Sequence, residues 1–196
     1  MGPISTILLA AKPTQKQLNE IDKIIQHISS IRENENFWVT STKYINGSAE
    51  ADGQPFALSI NKIDKDNYED ASLANISSRI GYLPVYDIAI IAMCNQSIDH
   101  RILGELTYYF TNMFEAYIDF GGALLPTLKH LPWYMRSGTH SWQDIEPYYQ
   151  KMKSKIEGKL HVITYKVDSN RTWAYQIGDV EFMKNWLTHP DFHMVK

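Results

Sequence analysis

The 196-residue chain is 44% hydrophobic, 21% charged and 12% aromatic, a balance that suits a folded globular protein and excludes intrinsic disorder. Its length predicts one domain over residues 1–196, with a possible subdivision near 125 into a 1–125 core and a 126–196 extension. A formal net charge of -3 gives no long-range attraction to phosphate backbones or anionic bilayers, so neither nucleic acid nor a membrane is an expected partner.

Pro3 to Ala11 is a β-branched and Leu-rich run that predicts a first strand, ended by Lys12-Pro13. Thr14 can cap the helix that follows, and Gln17 three residues on completes a capping-box pattern. Leu18, Ile21, Ile24, Ile25, Ile28 and Ile31 recur at helical spacing, so one face of that helix is expected to be buried. Alternation from Phe37 and Val39 to Tyr44 predicts a second strand, and Phe56, Leu58, Ile60 and Ile63 a third. Between them N-G-S-A-E-A-D-G-Q-P (46–55) has the composition of a long hairpin loop with a mobile tip.

A short helix is expected from about Ala71 to Ile80, before Gly81. Val85 to Cys94 is nearly continuous in apolar residues, as expected of a central strand covered on both faces. Ser97 is the expected cap of the next helix, with Asp99 in its first turn opposing the positive end of the dipole. That helix carries an apolar stripe of Ile98, Ile102, Leu103, Leu106, Phe110, Met113 and Tyr117. A neighbouring row of small residues, Gly104, Thr107 and Thr111, permits close approach of another element. Tyr117 to Leu124 predicts a strand or strand-turn, where Gly121-Gly122 allows unusual backbone angles.

The span from Pro126 to Trp142 is irregular and mixes aromatics, prolines and histidines. A helix starting near Asp144 tolerates Pro147 in its first turn, buries Ile145, Tyr148, Tyr149, Met152 and Ile156, and closes at Gly158. Leu160 to Val167 and Thr172 to Ile177 read as a hairpin pair. Asp179 caps a last helix that Pro190 ends, and Phe192 and Met194 favour docking of the chain's final turn. The order β-α-β-β-(α)-β-α-β followed by α-β-β-α predicts an α+β fold, a mixed, mainly antiparallel sheet with helices packed on it.

Charge is unevenly placed: eleven carboxylates face eight Lys or Arg before Ile98, and eleven face eleven after it. The single cysteine can form no internal disulfide, the opening residues lack a charged-then-apolar leader, and the apolar runs are short for a bilayer; the cytoplasm is the expected compartment.

Three clusters invite a chemical reading. Cys94, Asp99 and His100 could supply a thiol, its base and an orienting carboxylate, which requires the imidazole to approach the sulfur. The competing reading is that Cys94 packs at a strand end while Asp99 serves the helix start. Asp99-His100-Arg101 followed by Asp119-Phe120-Gly121 echoes kinase motifs, but the order is wrong and no Gly-rich loop lies upstream. Asp119 ahead of Gly121-Gly122 could act as an acid at a strand end, although turn formation is its ordinary role. His189, Asp191 and His193 could ligate a metal, which His130 and His140 could join through tertiary contact. Pro190, however, breaks the helical spacing that would align the two nearer histidines. No metal and no cofactor is therefore expected.

A fourth feature is a surface candidate. Trp133, Tyr134, Met135 and Arg136, beside Leu131 and Pro132, are residue types enriched in interface hot spots, and they sit in a long loop. Burial against the sheet is the commoner fate of such rings.

D-H-R-I-L-G-E-L at 99–106, I-D-F-G-G-A-L at 118–124, and the ending that contains W-L-T-H-P-D-F-H-M-V-K at 186–196 resemble an uncharacterised bacterial protein family, a domain of unknown function. The resemblance lies mainly in the second half of the chain and transfers no activity or catalytic residue. Size and acidity are also similar to those of immunity proteins of toxin systems, an analogy that does not itself establish function. The expectation is a non-enzymatic, immunity-like protein-binding module that engages a basic protein partner. The alternative is a small hydrolase or transferase with a cleft near Cys94, His100 and Asp119. Sequence does not set the oligomeric state.

Overall fold

The computed structural model describes residues 2–63, 70–121, 124, 131–132, 141–166 and 172–194, without the side chains of 70–72. Strand β1 (Ile4–Leu9) leads into helix α1 (Gln15–Ile28), whose capping box is formed as the sequence predicts: Thr14 Oγ1 accepts from Gln17 N, and Gln17 Oε1 accepts from Thr14 N at 2.9 Å. Strands β2 (Ser29–Glu33), β3 (Asn36–Ser41) and β4 (Glu50–Lys62) then form a meander. Helix α2 (Asp70–Ile80), strand β5 (Tyr86–Ala92), helix α3 (Ser97–Phe114) and strand β6 (Tyr117–Asp119) follow. Helix α4 (Trp142–Lys153), the hairpin β7 (Leu160–Lys166) and β8 (Thr172–Gly178), and helix α5 (Val180–Leu187) complete the described elements.

The described strands make one sheet in the order β2-β3-β4-β5-β1-β6-β8-β7, antiparallel at each described pairing. The fold is α+β. Strand β6 pairs with both β1 and β8, so the hairpin that follows residue 125 extends the sheet begun by the first half.

Alternation of side chains sorts the sheet into two faces. On one, Phe37, Phe56, Leu58, Ile88, Ile90, Ile7 and Ile118 pack with Ile24 and Ile28 of α1, Leu103 and Phe110 of α3, Tyr149 of α4 and Trp186 of α5. On the other, Ile76 and Ile80 of α2 pack on Leu8, Ile163 and Ile177, so that among the described residues the cover lies mainly over the β1-β6-β8-β7 half. The Tyr82 hydroxyl secures that cover by donating to the Leu8 carbonyl at 2.7 Å and accepting from the Tyr117 amide at 3.3 Å. Burial pushes the Tyr82 phenol up to about 12, because it penalises the charged phenolate.

Five local expectations are corrected. Ile31 lies in β2, outside the helix, and is 52% exposed; its helical spacing was coincidental, since α1 ends where Ser29 enters the sheet. Residues 50–55 are strand rather than loop, because β3 supplies their pairing partners and Gly53 accommodates φ +87°. Gln96, not Ser97, is the N-cap of α3. Pro147 sits in the second turn of α4, which starts at Trp142 after Ser141, so the Gln143 carbonyl lacks its usual amide donor. Finally, β5 is central but not covered on both faces, since Ala89 and Ile91 remain half-exposed on the second.

Helix α3 is held at its polar flank by Glu105. Its carboxylate accepts from Thr42 Oγ1 at 2.5 Å, Ser48 N at 3.0 Å, Ser48 Oγ at 2.9 Å, Ala49 N at 3.3 Å and Arg101 Nε at 2.6 Å. Burial alone would raise this carboxyl, but those donors outweigh it and hold it below the ordinary value. Arg101 also donates to the Leu187 carbonyl at 2.9 Å, joining the 42–49 loop to the end of α5.

Candidate interaction surface

Asp99, His100 and Asp119 of the candidate catalytic cluster each accept from a backbone amide. Asp99, fully buried, accepts from the Gln96 amide at 2.6 Å and so closes the capping box of α3. His100 Nδ1 accepts from the Met194 amide at 2.9 Å, while Nε2 faces Asn95 Oδ1 at 3.2 Å; that pair of contacts suits the Nε2–H tautomer. Asp119 Oδ1 accepts from Gly121 N at 2.8 Å, an Asx-type turn at φ +59°. Cys94 is half-buried just past β5, and no hydrogen bond among the described residues joins it to His100 or Asp119.

The metal candidates are used similarly. His189 stacks on Trp186 with ring centroids 5.1 Å apart and accepts from Asp191 N at 3.2 Å, while the His193 carbonyl accepts from Trp186 Nε1 at 3.0 Å. No group of three or more His, Cys, Asp or Glu is assembled for a metal among the described residues. His130, His140 and the aromatic surface candidates Trp133, Tyr134, Met135 and Arg136 lie outside the described residues; Leu131, which is described, is buried against Ile145.

What the geometry assembles is the bare half of the second sheet face. Register aligns Ile4, Ile91, Ala57, Asn36 and Glu33 in one row across β1, β5, β4, β3 and β2, about 19 Å at ordinary strand spacing. Pro55, Trp38 and Ile31 form the adjacent row, and Met93 lies two residues beyond Ile91, donating its amide to the Pro55 carbonyl at 3.0 Å. None of these apolar residues belongs to a described core cluster. Ile4 is 36%, Met93 42% and Ile31 52% exposed. An antiparallel sheet ordinarily turns polar side chains to water on an open face, whereas apolar strips on such faces are a common feature of interaction sites.

Among the described residues, the charged strand positions on this half of the face have one sign. The aligned positions of β2 to β6 that share it carry Glu33, Asp87 and Asp119, with no Lys or Arg. Arg32, by contrast, turns to the helical side, where it bonds Asp22 of α1 at 2.7 Å. Burial raises the Asp87 carboxyl, an effect the Asn61 amide opposes by donating at 3.0 Å.

Neither Ile31 nor Trp38 stood out in the sequence as surface residues. The signal that could have found them is apolar side chains at both parities of a strand that has only one helical layer to pack on, which is visible only once the strand order is known.

No helix among the described residues is long and apolar enough to cross a membrane. A model of a family of unknown function, DUF6368, matches residues 1–196. No curated protein and no solved structure is significantly similar to the chain.

Proposed function

Since the chain belongs to the DUF6368 family, whose function is unknown, its role has to be argued from its own surface, and we propose that it is a non-enzymatic protein-binding module of the bacterial, cytoplasmic, immunity-like kind. Its partner is a basic protein that seats an apolar patch on Ile4, Trp38, Ile91 and Met93 and brings Lys or Arg to the Glu33 side. The observation that carries this reading is the open sheet face itself: apolar, half-exposed and, among the described residues, bordered by carboxylates. Desolvated apolar anchors supply affinity, and opposite charge at the rim supplies steering and partner choice. The hydrolase or transferase alternative lacks such support, because His100, Asp119 and Asp99 each spend hydrogen-bonding capacity on backbone amides.

The test is capture with the full chain as bait, reconstitution of the complex from purified components, and rescue from toxicity where the captured protein is toxic. A basic partner is expected to bind stoichiometrically and to be lost, with at least tenfold weaker affinity, in an Ile31→Glu, Met93→Glu variant. A reconstituted complex indifferent to that variant would assign binding to another surface, and recovery of a turnover product with no complex would overturn the reading.

A further inference from the structure

We propose that the cleft between α4 and the 188–191 turn binds a small organic anion carrying a planar ring. The cleft has a volume of about 770 Å3, within the roughly 300–1,000 Å3 range of small-molecule sites. None of its described lining residues belongs to the open sheet face, so this site is independent of the proposed protein-binding surface.

One wall is cationic without a structural reason. Lys151 and Lys155 both line the cleft, four residues apart, and neither forms an ion pair among the described residues. Like charges at this spacing repel each other. Lysines at a helix C-terminus commonly answer its last carbonyls, but here those carbonyls are already satisfied. Ser154 N bonds Gln150 O at 2.9 Å, Ser154 Oγ bonds Lys151 O at 3.0 Å, Lys155 N bonds Met152 O at 3.2 Å and Ile156 N bonds Lys153 O at 2.9 Å. The two ammonium groups are therefore left to face the cleft, where an anion between them removes their repulsion.

The opposite wall supplies an oriented imidazole ring. His189 Nδ1 accepts from the Asp191 amide at 3.2 Å, which orients the ring beside the cleft. Stacking on Trp186 at an interplanar angle of 26° fixes the ring. Asp191 also lines the cleft and offsets one positive charge, so the two lysines leave the described lining net cationic. Among the described residues, Tyr148, Met152, Pro147 and Pro190 also line the cleft with ring and thioether surfaces. A purely polar ion would leave them unused, whereas a planar ring covers them.

Binding is read by calorimetry and by amide chemical-shift changes, using the full chain. Adenosine monophosphate and N-acetyltryptophan serve as phosphate- and carboxylate-bearing ring anions, with adenosine and inorganic phosphate as the separated parts. At least one ring anion is expected to saturate at millimolar concentration or below, shifting amides of 147–155 and 188–191, with each separated part at least tenfold weaker. The double variant Lys151→Glu, Lys155→Glu is expected to weaken that binding at least tenfold, whereas Lys16→Glu on the exposed surface of α1 leaves it unchanged. The proposal is overturned if neither ring anion saturates, if inorganic phosphate binds as tightly as adenosine monophosphate, or if the double variant has no effect. Which of the two ring anions binds decides between a phosphate and a carboxylate.

Discussion

The backbone amide of Met194 donates to Nδ1 of His100 at 2.9 Å, tying the end of the described chain to the first turn of α3 across 94 residues of sequence. Met194 is buried, Phe192 lies over Gly104, and Trp186 Nε1 holds the His193 carbonyl. A side chain that sequence placed in a possible catalytic cluster thus latches the C-terminal turn. Substituting His100→Phe keeps the ring but removes the acceptor, leaving a buried amide unpaired at a cost of about 1–3 kcal/mol. Hydrogen exchange is expected to accelerate at 189–194 well before the sheet. Equal protection in the variant would show that apolar contacts alone hold the turn.

Glu105 yields a pH signature. Its folded-state pKa lies below the ordinary 4.5, so its contribution is complete above that value and is lost as pH falls through the lower, folded value. Glu105→Gln is expected to destabilise the protein at neutral pH by about 2 kcal/mol, because Arg101, Ser48 and Thr42 lose a charged acceptor while the added amide hydrogens meet donors. The gap from the parent should narrow in acid below 4.5. Denaturant titrations at pH 7 and pH 3.5 check this, and a gap that widens in acid would contradict it.

Two glycines separate side-chain from backbone crowding. A Cβ at Gly104 would stand 2.5 Å from Phe192 Cζ and 2.7 Å from Leu187 Cδ2, both tips of side chains, whereas one at Gly158 would stand 2.1 Å from the Phe182 amide nitrogen with φ at +105°. Gly104→Ala gains about 1 kcal/mol of helix propensity against the displacement of a ring, so its net effect is expected to be small. Gly158→Ala has no such offset and meets backbone at both ends. A fall of more than about 2 kcal/mol is expected there, on the scale of strain at a forbidden angle plus overpacking. Thermal melts of the two variants give the ranking, and Gly104→Ala should come out the more stable.

The open sheet face predicts a dissociation between stability and association. Ile31 and Met93 are about half exposed and outside the core, so replacing both with Glu is expected to change folding stability by no more than about 0.5 kcal/mol each. The same variant should bind less of an apolar reporter dye and lose the proposed partner. A large drop in stability would instead place these side chains among the packing contacts.

Much of the local architecture was legible because its causes are local. Thr14 and Gln17 cap α1, Asp179 accepts from Phe182 N at 2.8 Å to start α5, and β7 and β8 pair as adjacent runs. Where the reading failed, a distant element had decided. Ile31 continues a helical spacing but is drawn into β2 by pairing with Trp38, and residues 50–55 look like loop until β3 lies beside them.

The sites divide in the same way. Sequence pointed to Cys94, His100, Asp119 and His189 because these residue types can do chemistry, yet their hydrogen-bond partners include Met194, 94 residues from His100, which spacing cannot identify.

By itself the sequence determined the periodicities, the caps and hence an α+β chain with a single cysteine and a mild acidic excess, since each of these depends on neighbours within a turn or two. Only the tertiary structure decided which strand lies beside which. That arrangement left one half of a sheet face without a helix among the described residues and set two lysines against a histidine across a cleft, because coverage and convergence are properties of elements far apart in the chain.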